Sequence, residues 1–142
     1  MKNVTKKKAK LIDWMICDDI RQENNGKLIF IGVYSDDILV NAIPITLSQL
    51  VFISKWDVTN NPIKKFEFKI LQPNGKVIGP IAVEAPSSEI KNRGKTLISV
   101  GIAPFNIEIS GEYKIEAKIN EFDYSNIGFF NVLLKTPSEK TK

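Results

Sequence analysis

"KKFEFKI", residues 64–70, alternates without a break: Phe66, Phe68 and Ile70 fall on one side, Lys65, Glu67 and Lys69 on the other. A period of two describes a β-strand with one dry and one wet face, because successive side chains of an extended chain point in opposite directions. Sheets with one face in water are typically antiparallel. The same rhythm returns in "EYKIEAKI" (112–119), where Tyr113, Ile115, Ala117 and Ile119 share a side.

Outward from these two runs the period of two persists. "QLVFISKWDV" (49–58) begins apolar and then alternates, with Phe52, Ser54, Trp56 and Val58 together. "TLISVGI" (96–102) groups Ile98, Val100 and Ile102, and "IGFFNVLL" (127–134) is a mostly apolar closing strand. "KLIFIGVY" (27–34) is apolar on both faces and reads as a central strand. No stretch of a dozen residues carries a 3.6 period with caps. The one helical expectation is a short turn within "PSSEIKNR" (86–93), capped by Ser87 or Ser88.

Turn chemistry separates the runs. Asn25-Gly26 reads as a two-residue hairpin turn, since both residue types tolerate positive φ. Pro73-Asn74-Gly75 reads as a second hairpin, joining "KFEFKIL" to "KVIGPIAVE". "NAIPI", "TNNP", "APSSEIKNRGK" and "APFNIEISG" are the longer connections. About eight short strands at this spacing predict an all-β, immunoglobulin-like antiparallel β-sandwich. Tyr113, two residues after Gly111, is the candidate for a tyrosine corner, and Trp56 for the core tryptophan of that architecture.

The chain has 142 residues, enough for one domain with its own core. Residues 1–9 read as a basic N-terminal tail, 10–135 as the sandwich and 136–142 as a second tail. The first ten residues hold five lysines and no acid, and residues 135–142 hold three lysines against Glu139. With a whole-chain charge of +4, residues 11–134 therefore carry −3. A basic tail on an acidic body argues against a nucleic-acid face and leaves only non-specific phosphate contact by the tail.

Several chemistries are absent. There is no histidine, which removes Ser-His, Cys-His and His-metal sites together. Cys17 is the single cysteine and cannot form an internal disulfide. With no histidine to activate it, it reads as a buried structural thiol. Phosphate loops, dinucleotide fingerprints and zinc spacings do not occur. "LIDWMIC" (11–17) is too short for a membrane span and lacks the small residues of a signal cleavage site, so the expected location is the cytoplasm.

One stretch resembles a site. "ICDDIRQENNGKLIFIGVYSDDI" (16–38) gathers Asp18, Asp19, Arg21, Asp36 and Asp37. A two-residue turn would put Asn24 opposite Lys27, Asp19 opposite Gly32 and Asp18 opposite Val33. Asp36 and Asp37 would then face Met15 and Trp14. That spaces the nearest aspartates by about 10 Å along the ladder, whereas ligands of one calcium ion lie within about 2.6 Å of it. The expectation is therefore no metal, no cofactor and no catalytic residue. Asp18 or Asp19 would pair with Arg21, and the charges would guard the sheet edge. Gly32 inside an apolar strand marks a bulge or a close approach, leaving room for Asp19 or Trp14.

The same stretch carries a resemblance. Cys17, Asp18, Gly26, Lys27, then Ile31, Gly32, Val33 and Tyr34, with "QPNGK" at 72–76, resemble a family of small bacterial β-sandwich proteins catalogued only as a domain of unknown function. The likeness is local to residues 12–76. It implies a bacterial or phage origin and an immunoglobulin-like fold, and it supplies no activity. The functional expectation is a non-enzymatic interaction module that binds another protein, or a second copy of itself. Asp18, Asp19, Arg21, Asp36 and Asp37 are the interaction candidates, with "SDDILVNAIPI" and "APSSEIKNRGK" the loops to watch. The alternative is a sandwich that binds a small ligand, carbohydrate or metal through those aspartates.

Overall fold

The alternation seen in the sequence carries through the chain. A computed structural model describes residues 9–35, 37–59, 61–84 and 94–135, and all regular structure in them is strand. The order is β1 (Lys10–Gln22), β2 (Leu28–Val33), β3 (Asp37–Val40), β4 (Ile45–Leu47), β5 (Leu50–Asp57), β6 (Lys65–Leu71), β7 (Val77–Glu84), β8 (Lys95–Ile102), β9 (Phe105–Ile107), β10 (Gly111–Ile119) and β11 (Ser125–Leu134). Eleven strands replace the expected eight or so. The additional ones are β3, β4 and β9, of three or four residues each. So few residues hold too few alternations to register, and Pro44 and Pro104 beside β4 and β9 read as loop. The helical turn expected at 86–93 lies outside the described residues, as does most of "APSSEIKNRGK".

Two sheets form the layers. One has the order β2-β1-β5-β8 and the other β3-β11-β10-β6-β7, while β4 and β9 make a small separate ribbon. All pairings are antiparallel except β3 with β11, which run parallel. Both layers contribute to one core. Phe52 on β5 meets Phe68 on β6 with ring centroids 4.7 Å apart, and Trp56 meets Phe66 edge-on at 5.9 Å. Phe66, Phe68 and Ile70, the residues that first announced a strand, are all buried. Each such side chain contributes on the order of 1.5–3 kcal/mol. Tyr113 stacks on Phe130, and its hydroxyl donates to the Ile109 carbonyl at 2.7 Å.

Trp56 is buried as expected. Its indole N–H donates to Ser54 Oγ at 2.8 Å, and Ser54 in turn donates to the Ile98 carbonyl at 3.2 Å. This short relay satisfies the buried polar atoms of β5.

The doubly covered strand is β5, not "KLIFIGVY". Leu50 to Ser54 are buried without a gap. A second cluster of Cys17, Val51 and Ile53, with Met15, Ile20, Phe30 and Leu97 around it, covers the face of β5 opposite the main core. β2, by contrast, is at the edge of its sheet. Leu28, Ile29, Ile31 and Val33 are 40–51% exposed. An apolar run looks the same whether its own domain covers it or its edge stands open, so the sequence pattern could not separate the two.

Both hairpins use three-residue loops. Glu23 N–H donates to the Lys27 carbonyl at 2.7 Å and Gly26 N–H to the Glu23 carbonyl at 2.9 Å. The Gln72–Lys76 turn repeats these bonds at 2.8 and 2.9 Å. Gly26 and Gly75 take φ of 90° and 88°, where a side chain would be strained. Asn25 and Asn74 accept from the amides two residues on, at 3.0 and 3.1 Å. The first loop is thus one residue longer than Asn25-Gly26 alone, and the register of β1 on β2 shifts by one. Cys17 lies opposite Val33 and Asp19 opposite Ile31.

Candidate functional site

The shifted register moves the aspartates. Asp18, not Asp19, meets Gly32: a Cβ built on Gly32 would lie 2.3 Å from Asp18 Oδ2. Gly32 has φ of 68° and gives that carboxylate its room. Asp18 Oδ1 accepts a 2.6 Å hydrogen bond from the Tyr34 hydroxyl. Asp18 and Asp19 sit inside β1 rather than at a strand end, and a second element secures them. Gln49, just before β5, donates through Nε2 to the Asp18 carbonyl and to Asp19 Oδ1, both at 3.1 Å.

Asp19 is the aspartate that meets Arg21, with Nε 3.2 Å from Oδ2. It also accepts from the Ile20 amide at 2.8 Å. That amide bond first, then the Arg21 contact, hold its carboxyl below the usual carboxylate range. Both groups are well exposed, so the pair adds little stability. Cys17 between these strands is fully buried. Burial, with help from Asp18 and Asp19, pushes its thiol up, opposite to what a nucleophile needs.

Asp37 lies elsewhere. After Val33 the chain leaves the four-stranded sheet, and Asp37 pairs with Asn131 of β11 in the other layer. It does not oppose Trp14 in a ladder, as the two-residue turn would require. Asp36 lies outside the described residues. Among the described residues no three Asp, Glu or Cys side chains converge as a metal-binding group.

Asp37 does meet the N-terminal half of β1 across a groove of about 620 Å³ between the layers. It is lined by Asp13 and Trp14 of β1, by Tyr34 and Asp37, and by Gly128 and Phe129 of β11. Trp14 is seated on Gly128, where an added Cβ would come within 2.5 Å of indole Cε2. The indole also stacks on Phe52 at 5.9 Å. Tyr34 therefore joins the aspartates of β1 to this groove. Gln49 and Gly128 had no place in the sequence reading, which used Tyr34 only in the family resemblance and placed Trp14 beside Gly32 or Asp37 rather than on Gly128. A glycine inside the apolar run "IGFF" carried the same signal of close approach as Gly32, and could have pointed to the Trp14 seat.

The fold and this arrangement define a two-layer all-β protein with an open apolar edge and an acidic, aromatic seam between its layers. The chain belongs to a family of unknown function (DUF6941), which it matches over residues 12–129. No curated protein matches the chain in sequence.

Proposed function

We propose that this protein is a non-enzymatic interaction module of immunoglobulin-like type that takes a partner's strand on the free edge of β2. The carrying observation is the exposure of Leu28, Ile29, Ile31 and Val33 on an edge strand that contains no charge and no proline. Edge strands of that kind are normally blunted by such residues, because unpaired backbone groups beside apolar side chains invite another strand. Main-chain bonds then supply affinity and the alternate side chains supply specificity. The Tyr113–Ile109 bond and the buried Trp56 support the immunoglobulin-like reading. A bacterial or phage origin and a cytoplasmic setting complete it. No helix among the described residues is long and apolar enough to cross a membrane.

The test compares wild-type protein with Ile31→Lys, in sedimentation and in pull-downs from native lysate. The wild type should retain one specific partner or a second copy, and Ile31→Lys should lose it with its melting temperature nearly unchanged. Wild-type protein that runs as a monomer and retains nothing specific overturns the proposal.

A further inference from the structure

Two strands that border the seam groove are only half paired. β1 pairs with β5 over Lys10–Cys17, but β2 covers its other side only over Cys17–Gln22, with one further bond from Tyr34 N–H to the Ile16 carbonyl. Residues 10–15 have no strand on that side among the described residues. β11 pairs with β10 over Ser125–Val132, but β3 reaches only Asn131–Leu134. Residues 125–130 are therefore open on their outer side among the described residues. The open halves run beside one groove, into which both contribute residues.

Only an extended backbone can match the alternating donors and acceptors of such edges. The chemistry of the walls says which side chains it should carry. Among the described residues, Asp13 and Asp37 line the groove and no cation does. Asp13 accepts, among the described residues, only from its neighbour's amide, Trp14 N–H, at 2.8 Å. The Asp37 carboxylate has no hydrogen bond or ion pair among the described residues. A purely apolar strand would desolvate both carboxylates without a partner, and an acidic one would be repelled. Tyr34 and the 55% exposed Phe129 add ring faces suited to a cation.

We propose that this groove binds an extended segment of a partner protein that carries lysine or arginine, laid along the open halves of β1 and β11. The site is separate from the β2 edge and does not depend on it.

The test titrates the full chain with two blocked synthetic peptides, one alternating valine with lysine and the other valine with glutamate. Trp14 fluorescence and calorimetry report binding. The lysine peptide should bind saturably and more weakly as salt rises, while the glutamate peptide should not bind. Asp13→Asn and Asp37→Asn, which keep shape and remove charge, should each weaken binding by about fivefold or more. Ile31→Lys should leave the affinity within about twofold, which separates this groove from the β2 edge. Failure of the lysine peptide to saturate, equal binding of both peptides, or indifference to both Asn variants overturns the proposal. Tighter binding when Lys6, Lys7 and Lys8 are changed to glutamine overturns it in favour of the chain's own N-terminus as occupant.

Discussion

The Tyr34 hydroxyl reaches the Asp18 carboxylate at 2.6 Å, beside a ladder position that only glycine can fill. Gly32→Ala places a methyl group 2.3 Å from Asp18 Oδ2 and forces a side chain onto φ of 68°. Overpacking and left-handed strain each cost on the order of 1–2 kcal/mol. The expected loss in chemical denaturation is about 2–4 kcal/mol. Adding Asp18→Ala should recover the steric share and leave the backbone share, so the pair should be strongly non-additive.

All three tyrosines should ionise late. Burial comes first in each case. For Tyr34 the Asp18 carboxylate adds to it, and for Tyr124 the Glu67 carboxylate, which accepts its hydroxyl, pushes it up to about 12. Tyr113 is raised by burial as well. A folded-state value above the unfolded one near 10 favours the protonated fold. Its contribution is intact below pH 10 and is lost as pH climbs through the folded values. Tyrosinate absorbance should therefore rise at lower pH in urea than in the native protein. Tyr34→Phe and Tyr124→Phe should flatten the alkaline fall in stability. Native titration near pH 10 by all three groups would contradict this.

The Ser54 relay gives a buried test. Ser54→Ala leaves the Trp56 indole N–H without its acceptor and the Ile98 carbonyl without the hydroxyl it receives. An unsatisfied buried group costs about 1–3 kcal/mol. Trp56→Phe removes the donor, so the double variant should be less destabilised than the sum of the singles. Equilibrium unfolding of the four proteins measures it.

Asn120 ties the end of β10 to the start of β6. Its Oδ1 accepts from the Lys64 and Lys65 amides at 2.7 and 3.0 Å, its Nδ2 donates to the Pro62 carbonyl, and its φ is 53°. Asn120→Ala loses the bonds and strains the backbone, with an expected cost of about 1–3 kcal/mol. Asn120→Gly keeps the backbone geometry and should fall between. Thermal melts that rank glycine below alanine would refute this account.

Divalent ions should not stabilise the fold. Asp18 and Asp19 are held by Tyr34, Gln49 and Arg21, and Asp37 belongs to the opposite layer. Calcium, magnesium or manganese should leave the melting temperature where a chelator leaves it. A rise that saturates with one of these ions would show linkage to a site.

The long alternating strands were legible because one face of each lies in water. "KFEFKI" and "EYKIEAKI" fall where the period of two puts them. Cys17 and Trp56 are buried as their surroundings implied. Four things were not legible. The Asn25-Gly26 signal fixes a turn but not its length, and one extra loop residue decided which aspartate meets Gly32. β4 and β9 are too short to show a period. The exposure of β2 depends on which strands lie beside it, and sequence spacing does not contain that. The seam groove combines β1, β3 and β11 from distant parts of the chain, so only the aspartates along one hairpin stood out.

The parallel pairing of β3 with β11 has a consequence for how the molecule is made. Asp37–Val40 is synthesised well before its partner Asn131–Leu134. Until then β3 waits as an unmatched ribbon, so a nascent chain stalled before residue 131 should be sensitive to protease there. Closure of the five-stranded layer thus waits until β11 has been made.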